Sequence, residues 1–244
     1  MKKLLILSLI LFIKIQSGYS QGLMESTKDA LRSGQKISSG ADKMLYGIPR
    51  EEGIVLGDNY LDTTFVVSNI MLFKEEKIYA NIPSRLDVKN NILEIKTPMG
   101  VRVLDGIRVK FFSVTNALNH DGTIFLNTQN FKGDSESLNG FFELISEGNS
   151  SLIVYNKAWE KKATYNEALG AGDINAKIIK EKHYYISIGD KVKKIGNSKK
   201  SIIEALPAHR QEMEKFLKEG DFSYKSIPDL IKIVTYYNQI SSVK

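Results

Sequence analysis

A strict alternation of apolar and polar side chains constrains the fold of this 244-residue chain more than any other feature. It is clearest in "KIYANIPSRLDV", residues 77–88, where every second residue from Ile78 to Val88 is apolar or small. A period of two residues is typical of a strand with one buried face, and Pro83 places part of that strand at an edge or a bulge. Similar short runs, separated by turn signals, continue to about residue 195. They predict an antiparallel β-meander that forms a curled sheet, a partial barrel or a sandwich.

Two dipeptides predict how strands of this sheet are connected. Asp105-Gly106 is a strong hairpin signal between "VRVL" and "IRVKFFSV". Gly189-Asp190 joins "HYYISI" to "KVKKI", and the register of that hairpin stays open in the sequence. A two-residue loop places Ile188 opposite Lys191, whereas a three-residue loop places it opposite Val192.

After residue 197 the apolar pattern changes to the period of a helix. Ser198 can cap a helix over "KKSIIEAL", Pro207 ends it, and Ser226 can cap a last helix over "IPDLIKIVTYYNQI". One face of that last helix is apolar and consists of Leu230, Ile233, Val234 and Tyr237. Strands first and helices last predict an α+β fold with the helices docked on the sheet.

The amino terminus has the order of a secretory signal peptide. Lys2 and Lys3 precede an apolar run over residues 4–13, and small residues follow near Ser20. We therefore expect cleavage after Ser20, no transmembrane segment in the mature chain, and export to the periplasm, the outer membrane or the extracellular space. The predicted organisation is a signal peptide (1–20), an N-terminal segment and linker (21–53), a β-rich body (54–197) and C-terminal helices packed on the body (198–244).

Charge and cysteine content exclude several function classes. The formal net charge is +6, and three of these positive charges belong to the signal peptide. A small net charge together with export argues against nucleic-acid binding. The chain has no cysteine, which excludes disulfides, a thiol nucleophile and lipid attachment through an amino-terminal cysteine.

Residues that could carry catalysis form no recognisable motif. His120, His183 and His209 each lack a second histidine or cysteine at ligand spacing. Carboxylates that lie on or beside predicted strands could supply an acid/base pair, but spacing along the chain places no two of them together. These carboxylates are Asp58, Asp62, Asp87, Asp105 and Glu143. The sequence therefore predicts no catalytic residue, no metal site and no cofactor.

Residues 177–200 contain eight lysines, one histidine and two tyrosines, the strongest chemical signal in the chain. They are either the solvated side of a hairpin, which we favour, or a surface that grips an anion. Adjacent strand residues face opposite ways, so we expect one of the two tyrosines in the core and the other exposed. The candidate ligand-binding residues are Trp159, Tyr184, Tyr185, Lys191, Lys193 and Lys194.

Several short segments resemble the landmarks of an uncharacterised family of exported Bacteroidetes-type proteins. They are "GDNYLDTTF", "VRVLDG", "GFFELISEG", "YNEALGAGD", "KHYYISIGDKVKKI" and "IVTYYNQI", and they span residues 55–240. In that family a β-rich body precedes a lysine-rich helical tail. The resemblance implies export, one structural unit and an envelope setting, and it transfers no functional residue.

Two function classes follow from the sequence. The first is a non-catalytic exported envelope protein that binds a small molecule, a glycan or a protein partner. The alternative is a carboxylate-dependent hydrolase or isomerase with its site in the mouth of the curled sheet. A deep pocket with two converging carboxylates favours the enzyme, whereas a filled interior with a flat aromatic or basic patch favours the binding protein.

Overall fold

The structure, a computed structural model, describes residues 52–115, 122–166 and 169–242. The predicted signal peptide, nearly all of the N-terminal segment and His120 lie outside the described residues. From Gly53 onward the described residues form one compact unit.

Within the described residues, twelve strands form one mixed, mostly antiparallel sheet. The strands are β1 (Val55–Leu56), β2 (Val66–Leu72), β3 (Glu75–Asp87), β4 (Ile92–Thr97), β5 (Gly100–Asp105), β6 (Val109–Thr115), β7 (Gly122–Asn127), β8 (Lys132–Gly133), β9 (Phe141–Ser146), β10 (Ser150–Lys161), β11 (Ala176–Ile188) and β12 (Lys191–Lys194). Their spatial order is β5-β4-β3-β2-β6-β7-β9-β10-β11-β12-β8, and β1 pairs in parallel with β11. The sheet is not closed, and with the helices that follow it confirms the predicted α+β fold.

The connection between β5 and β6 forces the first half of the sheet, strands β5-β4-β3-β2-β6-β7 in spatial order, to curl. Only three residues, Gly106–Arg108, join these strands, although β4, β3 and β2 lie between them in the sheet. Four strand spacings in a flat sheet are about 19 Å, whereas the Cα atoms of Asp105 and Val109 can be at most about 14 Å apart. The sheet must therefore bend until the end of β5 approaches the start of β6.

The hairpin predicted at Asp105-Gly106 is wrong, because β5 and β6 are not paired. The Asp105 side chain accepts a hydrogen bond from the Ile107 amide and begins a short 3-10 helix. Gly106 donates its amide to the Asn91 carbonyl, and a Cβ on Gly106 would lie 2.3 Å from Asn91 Oδ1. Asp-Gly does mark a tight turn here, but the glycine is needed because its backbone lies close to Asn91 and not because it forms a hairpin loop.

The structure agrees with the placement of Pro83 and determines the register of the hairpin at Gly189-Asp190. Pro83 lies in β3 one residue before the pairing with β4 begins at Ser84, so its missing N–H costs no bond to that strand. A bulge interrupts the pairing of β2 and β3 nearby, where Asn81 adopts a φ of 59°. At the other end of the sheet, Ile188 lies opposite Lys191, which fixes a two-residue loop with Gly189 at a φ of 61°.

Three helices follow the last strand of the described chain. They are α1 (Lys199–Ala205), α2 (Arg210–Glu219) and α3 (Ile227–Ser242). Ser198 caps α1 as predicted, since its side chain accepts a hydrogen bond from the Ser201 amide. None of the described helices has the length and apolar character needed to cross a membrane.

The helices cover one face of the second half of the sheet, which consists of strands β9-β10-β11-β12-β8 in spatial order. The apolar stripe of α3 is buried there, and it packs with Leu152 of β10 and Ile186 of β11. Asn238 of α3 adds a polar anchor, because its side-chain amide accepts from the Ser150 amide and donates to the Ser150 carbonyl, each at 2.8 Å. The helical segment is thereby attached to the sheet by both apolar and polar contacts.

Two further cores lie on the sheet. On the opposite face of its second half, Phe142, Ile153, Tyr155, Tyr185 and Val192 pack with Phe131 and Leu138 from the connection between β7 and β9. The concave side of its curled first half buries Ile70, Leu86, Leu93, Val109, Phe112, Phe125 and Phe141. The second half of the sheet is therefore covered on both faces, whereas the concave face of the first half is only partly filled.

Candidate functional site

A cavity of about 270 Å³ lies beside this partly filled face. It lies where strands β2, β3, β6, β7, β9 and β11 contribute side chains to one space. Its lining consists of Leu61, Asp62, Thr64, Val66, Ser68, Ser84, Arg85, Leu86, Phe112, Val114, Thr123, Phe125, Glu143 and Lys182. Six of these side chains are apolar, four are charged and four carry a hydroxyl group, so the cavity offers apolar surface together with groups that can orient a ligand.

The floor of the cavity consists of two stacked aromatic rings and a pair of buried hydroxyls. The rings of Phe112 and Phe125 stack with their centroids 4.6 Å apart, because the two residues are direct partners across β6 and β7. Beside them, Ser68 and Ser84 are buried and share a hydrogen bond of 2.7 Å between their hydroxyl oxygens. These buried hydroxyls satisfy each other, so the floor requires no ligand to complete it.

A covering loop, residues 58–65, passes over one side of the cavity. It pairs with the end of β3, where the Leu61 amide donates to the Leu86 carbonyl and the Val88 amide donates to the Asn59 carbonyl, both at 2.9 Å. Asp58 holds the start of the loop to β11 through an ion pair of 2.8 Å with Lys180. Hydrogen bonding from Lys180 lowers the pKa of Asp58. The first half of the loop is thus fixed to β3 and β11, two strands that contribute to the cavity.

Arg85 contributes a cation to the lining, but that cation is already satisfied. Its guanidinium lies 2.7 Å from Glu94 Oε2, donates to the Thr63 carbonyl and to the Tyr60 hydroxyl, and is 3.8 Å from the centre of the Tyr60 ring. Tyr60 in turn donates its hydroxyl to Glu94 Oε1. Hydrogen bonding to Glu94 raises the pKa of Arg85, while burial raises the pKa of Tyr60. This cluster stabilises the covering loop rather than leaving a free charge for a ligand.

Glu143 and Lys182 are the charged groups that β9 and β11 contribute to the lining. Glu143 is half-buried, and its Oε2 accepts a hydrogen bond of 2.9 Å from Asn156 of β10. Asn156 is the direct cross-strand partner of Lys182, so the three side chains share one face on adjacent strands. Neither Glu143 nor Lys182 forms an ion pair with any residue that the structure describes.

Asp62 is the second carboxylate of the lining. Its Oδ1 accepts hydrogen bonds from the amide and the hydroxyl of Thr64, at 2.8 and 2.7 Å. These donors lower the pKa of Asp62, with the hydroxyl as the larger cause. Asp62 is therefore held as a carboxylate and is unsuited to donate a proton.

An apolar trough continues the concave face beside the cavity. It has a volume of about 220 Å³ and is lined by Ile70, Leu72, Tyr79, Ile82, Ile95 and Leu104. The trough adjoins the cavity because Ile70 is the direct strand partner of Phe112, and Ile82 is the partner of Ser68. The only polar side-chain atom in the trough is the Tyr79 hydroxyl, which donates to Glu75. Cavity and trough are therefore neighbours on the concave face, and the charged groups belong to the cavity.

The six predicted ligand-binding residues are not brought together. Tyr185 is buried, and Tyr184 is half-buried against the helices instead of being exposed as we expected, because both faces of the sheet are covered there. Lys193 and Lys194 are exposed and lie opposite Ile186 and Tyr185, so their side chains point to opposite faces of the sheet. Lys191 flanks the hairpin loop.

Trp159 is the remaining predicted residue, and its indole ring is partly exposed on β10. The indole N–H donates a hydrogen bond of 2.9 Å to Glu181. Trp159 shares its sheet face with its cross-strand partner Ile179, whereas Lys182 and the cavity belong to the opposite face. The aromatic and basic residues of this region therefore form no single surface with the cavity.

Most other candidates from the sequence have structural roles. Asp58 pairs with Lys180, Asp105 caps the 3-10 helix, and buried Asp87 accepts hydrogen bonds from the Lys89 and Asn90 amides. Among the described residues, no group of three or more histidine, aspartate or glutamate side chains is placed to hold a metal ion.

Sequence reasoning did not single out Lys182 or Arg85, although it named Asp62 and Glu143 among the strand carboxylates. One signal was present in β11, where Lys180 and Lys182 interrupt a face that continues with Tyr184 and Ile186. Two lysines in a period-two apolar pattern indicate that the face is uncovered at that point. No pattern in the sequence could show that β3, β6 and β9 converge on the same space, because that depends on the curl.

No known protein family, no curated protein and no solved structure matches the chain. The resemblance to an exported family with a lysine-rich tail therefore stays a prediction. The geometry of the concave face is the remaining indication of function.

Proposed function

We propose that the protein is a non-catalytic binding protein that holds a small amphipathic molecule on the concave face of its sheet. The observation that carries this proposal is the cavity of about 270 Å³ beside an apolar trough of about 220 Å³. Binding is favourable when an apolar part of a ligand displaces water from these apolar side chains. The charged groups of the cavity give the ligand an orientation. The apolar part of the ligand lies on Phe112, Val114 and the trough.

The N-terminal pattern adds a location to this proposal. A signal peptide over residues 1–20 would export the protein to the envelope or beyond, where it meets amphipathic molecules outside the cytoplasm. Amino-terminal sequencing of the protein from its native source is expected to return Gln21. A mature protein that begins at Met1 in the cytoplasm would contradict the location.

A cavity-filling substitution tests the binding proposal. Val114→Trp introduces a large side chain into the cavity, whereas Val103→Trp adds the same side chain to the exposed edge strand β5, where Val103 is 64% exposed. The fluorescence of N-phenyl-1-naphthylamine, an uncharged apolar probe, is expected to rise on binding to the wild type and to Val103→Trp. It should not rise with Val114→Trp at the same concentrations, provided that circular dichroism shows the variant to be folded. Equal binding by all three proteins would refute the proposal.

The enzyme alternative is kept as a second candidate because Asp62 and Glu143 line the same cavity. In this function the ionised Asp62 would act as a base or would stabilise positive charge, and Glu143 would have to supply the proton. Assays with chromogenic glycoside and ester substrates test it. Turnover that disappears in both Asp62→Asn and Glu143→Gln, but not in Asp134→Asn at an exposed site, would favour the enzyme.

A further inference from the structure

The charges around the cavity are not equally available to a ligand. Arg85 is neutralised by Glu94, and Asp62 is an exposed carboxylate whose Oδ1 is occupied by Thr64. On the strands, Glu143 and Lys182 remain, one of each sign, and neither has an ion-pair partner among the described residues. The end of the cavity formed by β9 and β11 therefore presents one anion and one cation.

The strand pairing holds these two charges on one face but apart. Glu143 lies on β9 and Lys182 on β11, with Asn156 of β10 between them in the sheet. Asn156 donates to Glu143 Oε2 at 2.9 Å, which orients the carboxylate and leaves Oε1 without a donor among the residues that the structure describes. Because Glu143 and Lys182 do not reach each other, a molecule with both a positive and a negative group can satisfy both.

We propose that Glu143 and Lys182 bind the head of a zwitterionic amphiphile, with its ammonium group at Glu143 and its acidic group at Lys182. This inference rests on the proposed binding function and specifies its ligand class. The apolar part of the ligand lies on the stacked rings of Phe112 and Phe125 and extends toward the trough. A free apolar amino acid and a single-chain zwitterionic lipid share this chemistry, and they differ in how much of the trough they fill.

Ligands with one charge fit the same site less well. A purely anionic head pairs with Lys182 but enters a cavity that Glu143 and Asp62 also line, and their like charges oppose it. A purely cationic head pairs with Glu143 but meets Lys182. In each case one charged group of the cavity loses water without gaining a partner, which reduces affinity.

The test compares ligands that share an apolar part and differ in the head. Isothermal titration calorimetry with 2-aminododecanoic acid, dodecylamine and dodecanoic acid, below their aggregation concentrations, measures the three affinities. Each missing charge contact is expected to weaken binding about fivefold, the magnitude of a solvent-exposed ion pair. A second series with phenylalanine, phenethylamine and 3-phenylpropionic acid separates a free amino acid from a lipid, because these ligands cannot fill the trough.

Substitutions assign each contact. Lys182→Gln should make the zwitterion bind no better than dodecylamine, and Glu143→Gln should make it bind no better than dodecanoic acid. Lys193→Gln, on exposed β12 and outside the lining, serves as the control and should preserve the full preference. Glu143→Gln keeps an oxygen that can accept from Asn156, and thermal melts verify that each variant is folded.

The outcomes separate this inference from the proposed function. If the acid or the amine binds as tightly as the zwitterion, and Val114→Trp abolishes that binding, the binding function stands and the zwitterion inference fails. The inference also fails if Lys182→Gln leaves the order of affinities unchanged. If no ligand of either series binds, the inference and the amphiphile-binding function both fail.

Discussion

Replacing Asn238 with leucine tests whether the helices and the sheet unfold as one unit. The Asn238 side chain makes two hydrogen bonds of 2.8 Å to the backbone of Ser150, at the start of β10. Leucine has nearly the same shape and neither of the polar groups. The substitution therefore removes both hydrogen bonds with little change in packing.

The expected cost follows from the burial of Ser150. This residue is 1% exposed, so water cannot readily replace the lost partners of its N–H and C=O groups. A buried backbone group without a partner costs about 1 to 3 kcal/mol. Because two groups are affected, the two costs add, and we expect the free energy of unfolding to fall by about 2 to 4 kcal/mol. This is the lower part of the sum of the two ranges, since the end of the helix can shift and restore part of the contact. The control is Gln239→Leu at the next, exposed position, which should change stability by less than about 0.5 kcal/mol.

Urea unfolding followed by two signals provides the assay. Circular dichroism at 222 nm reports mainly on the helices, and the fluorescence of Trp159, the only tryptophan of the chain, reports on β10. In one cooperative unit both signals shift to lower urea together and the slope of the transition stays the same. Loss of the helical signal at lower urea with an unchanged tryptophan transition would show that helices and sheet unfold separately. Equal stability of the two leucine variants would show that the hydrogen bonds to Ser150 do not stabilise the fold.

Three further predictions concern other parts of the fold. Ile233→Ala removes a fully buried side chain of α3 and should cost about 2 to 5 kcal/mol in urea unfolding, whereas Thr235→Ala on the exposed face should cost little. Gly189→Ala should cost about 1 kcal/mol through backbone strain alone, because φ is 61° and the space around its Cβ is open; a larger loss in thermal melts would indicate a steric clash instead. Burial, together with the charge of Lys194, lowers the pKa of His183 below its ordinary value of 6.5. The unfolded chain therefore binds the proton more tightly than the folded protein does. As a result, the free energy of unfolding should decrease as the pH drops below about 6.5. His183→Gln should flatten that part of the stability profile, and a steeper decline in the variant would contradict the assignment.

The sequence predicts local structure well where one face of an element is buried. Alternation in residues 77–88 identified β3, and the position of Pro83 at the limit of the pairing with β4 agreed with its missing N–H. Ser198 and the apolar stripe of α3 were identified because caps and helical periods are local signals. In each case the pattern depends on residues a few positions apart.

The path of the strands and the cavity could not be predicted in the same way. Asp105-Gly106 has the composition of a hairpin turn, yet the contact of Gly106 with Asn91, fifteen positions away, turns the chain toward the far side of β2. The cavity combines Arg85, Phe112, Glu143 and Lys182, which are far apart in sequence and meet only because the sheet curls. The lysine-rich hairpin drew attention because its charges are adjacent in sequence, although pleating sends neighbouring side chains to opposite faces.

Methyl NMR during a ligand titration is a direct test of binding on the concave face, because it locates the ligand as well as detecting it. Leu86, Val66 and Val114 carry methyl groups in the cavity lining, while Val101 and Val103 lie exposed on β5. With 2-aminododecanoic acid as the probe, we expect saturable chemical-shift changes of the cavity methyl groups and none at the two β5 valines. Saturable shifts confined to β5 or to the helices, with the cavity methyls unchanged, would contradict binding on the concave face.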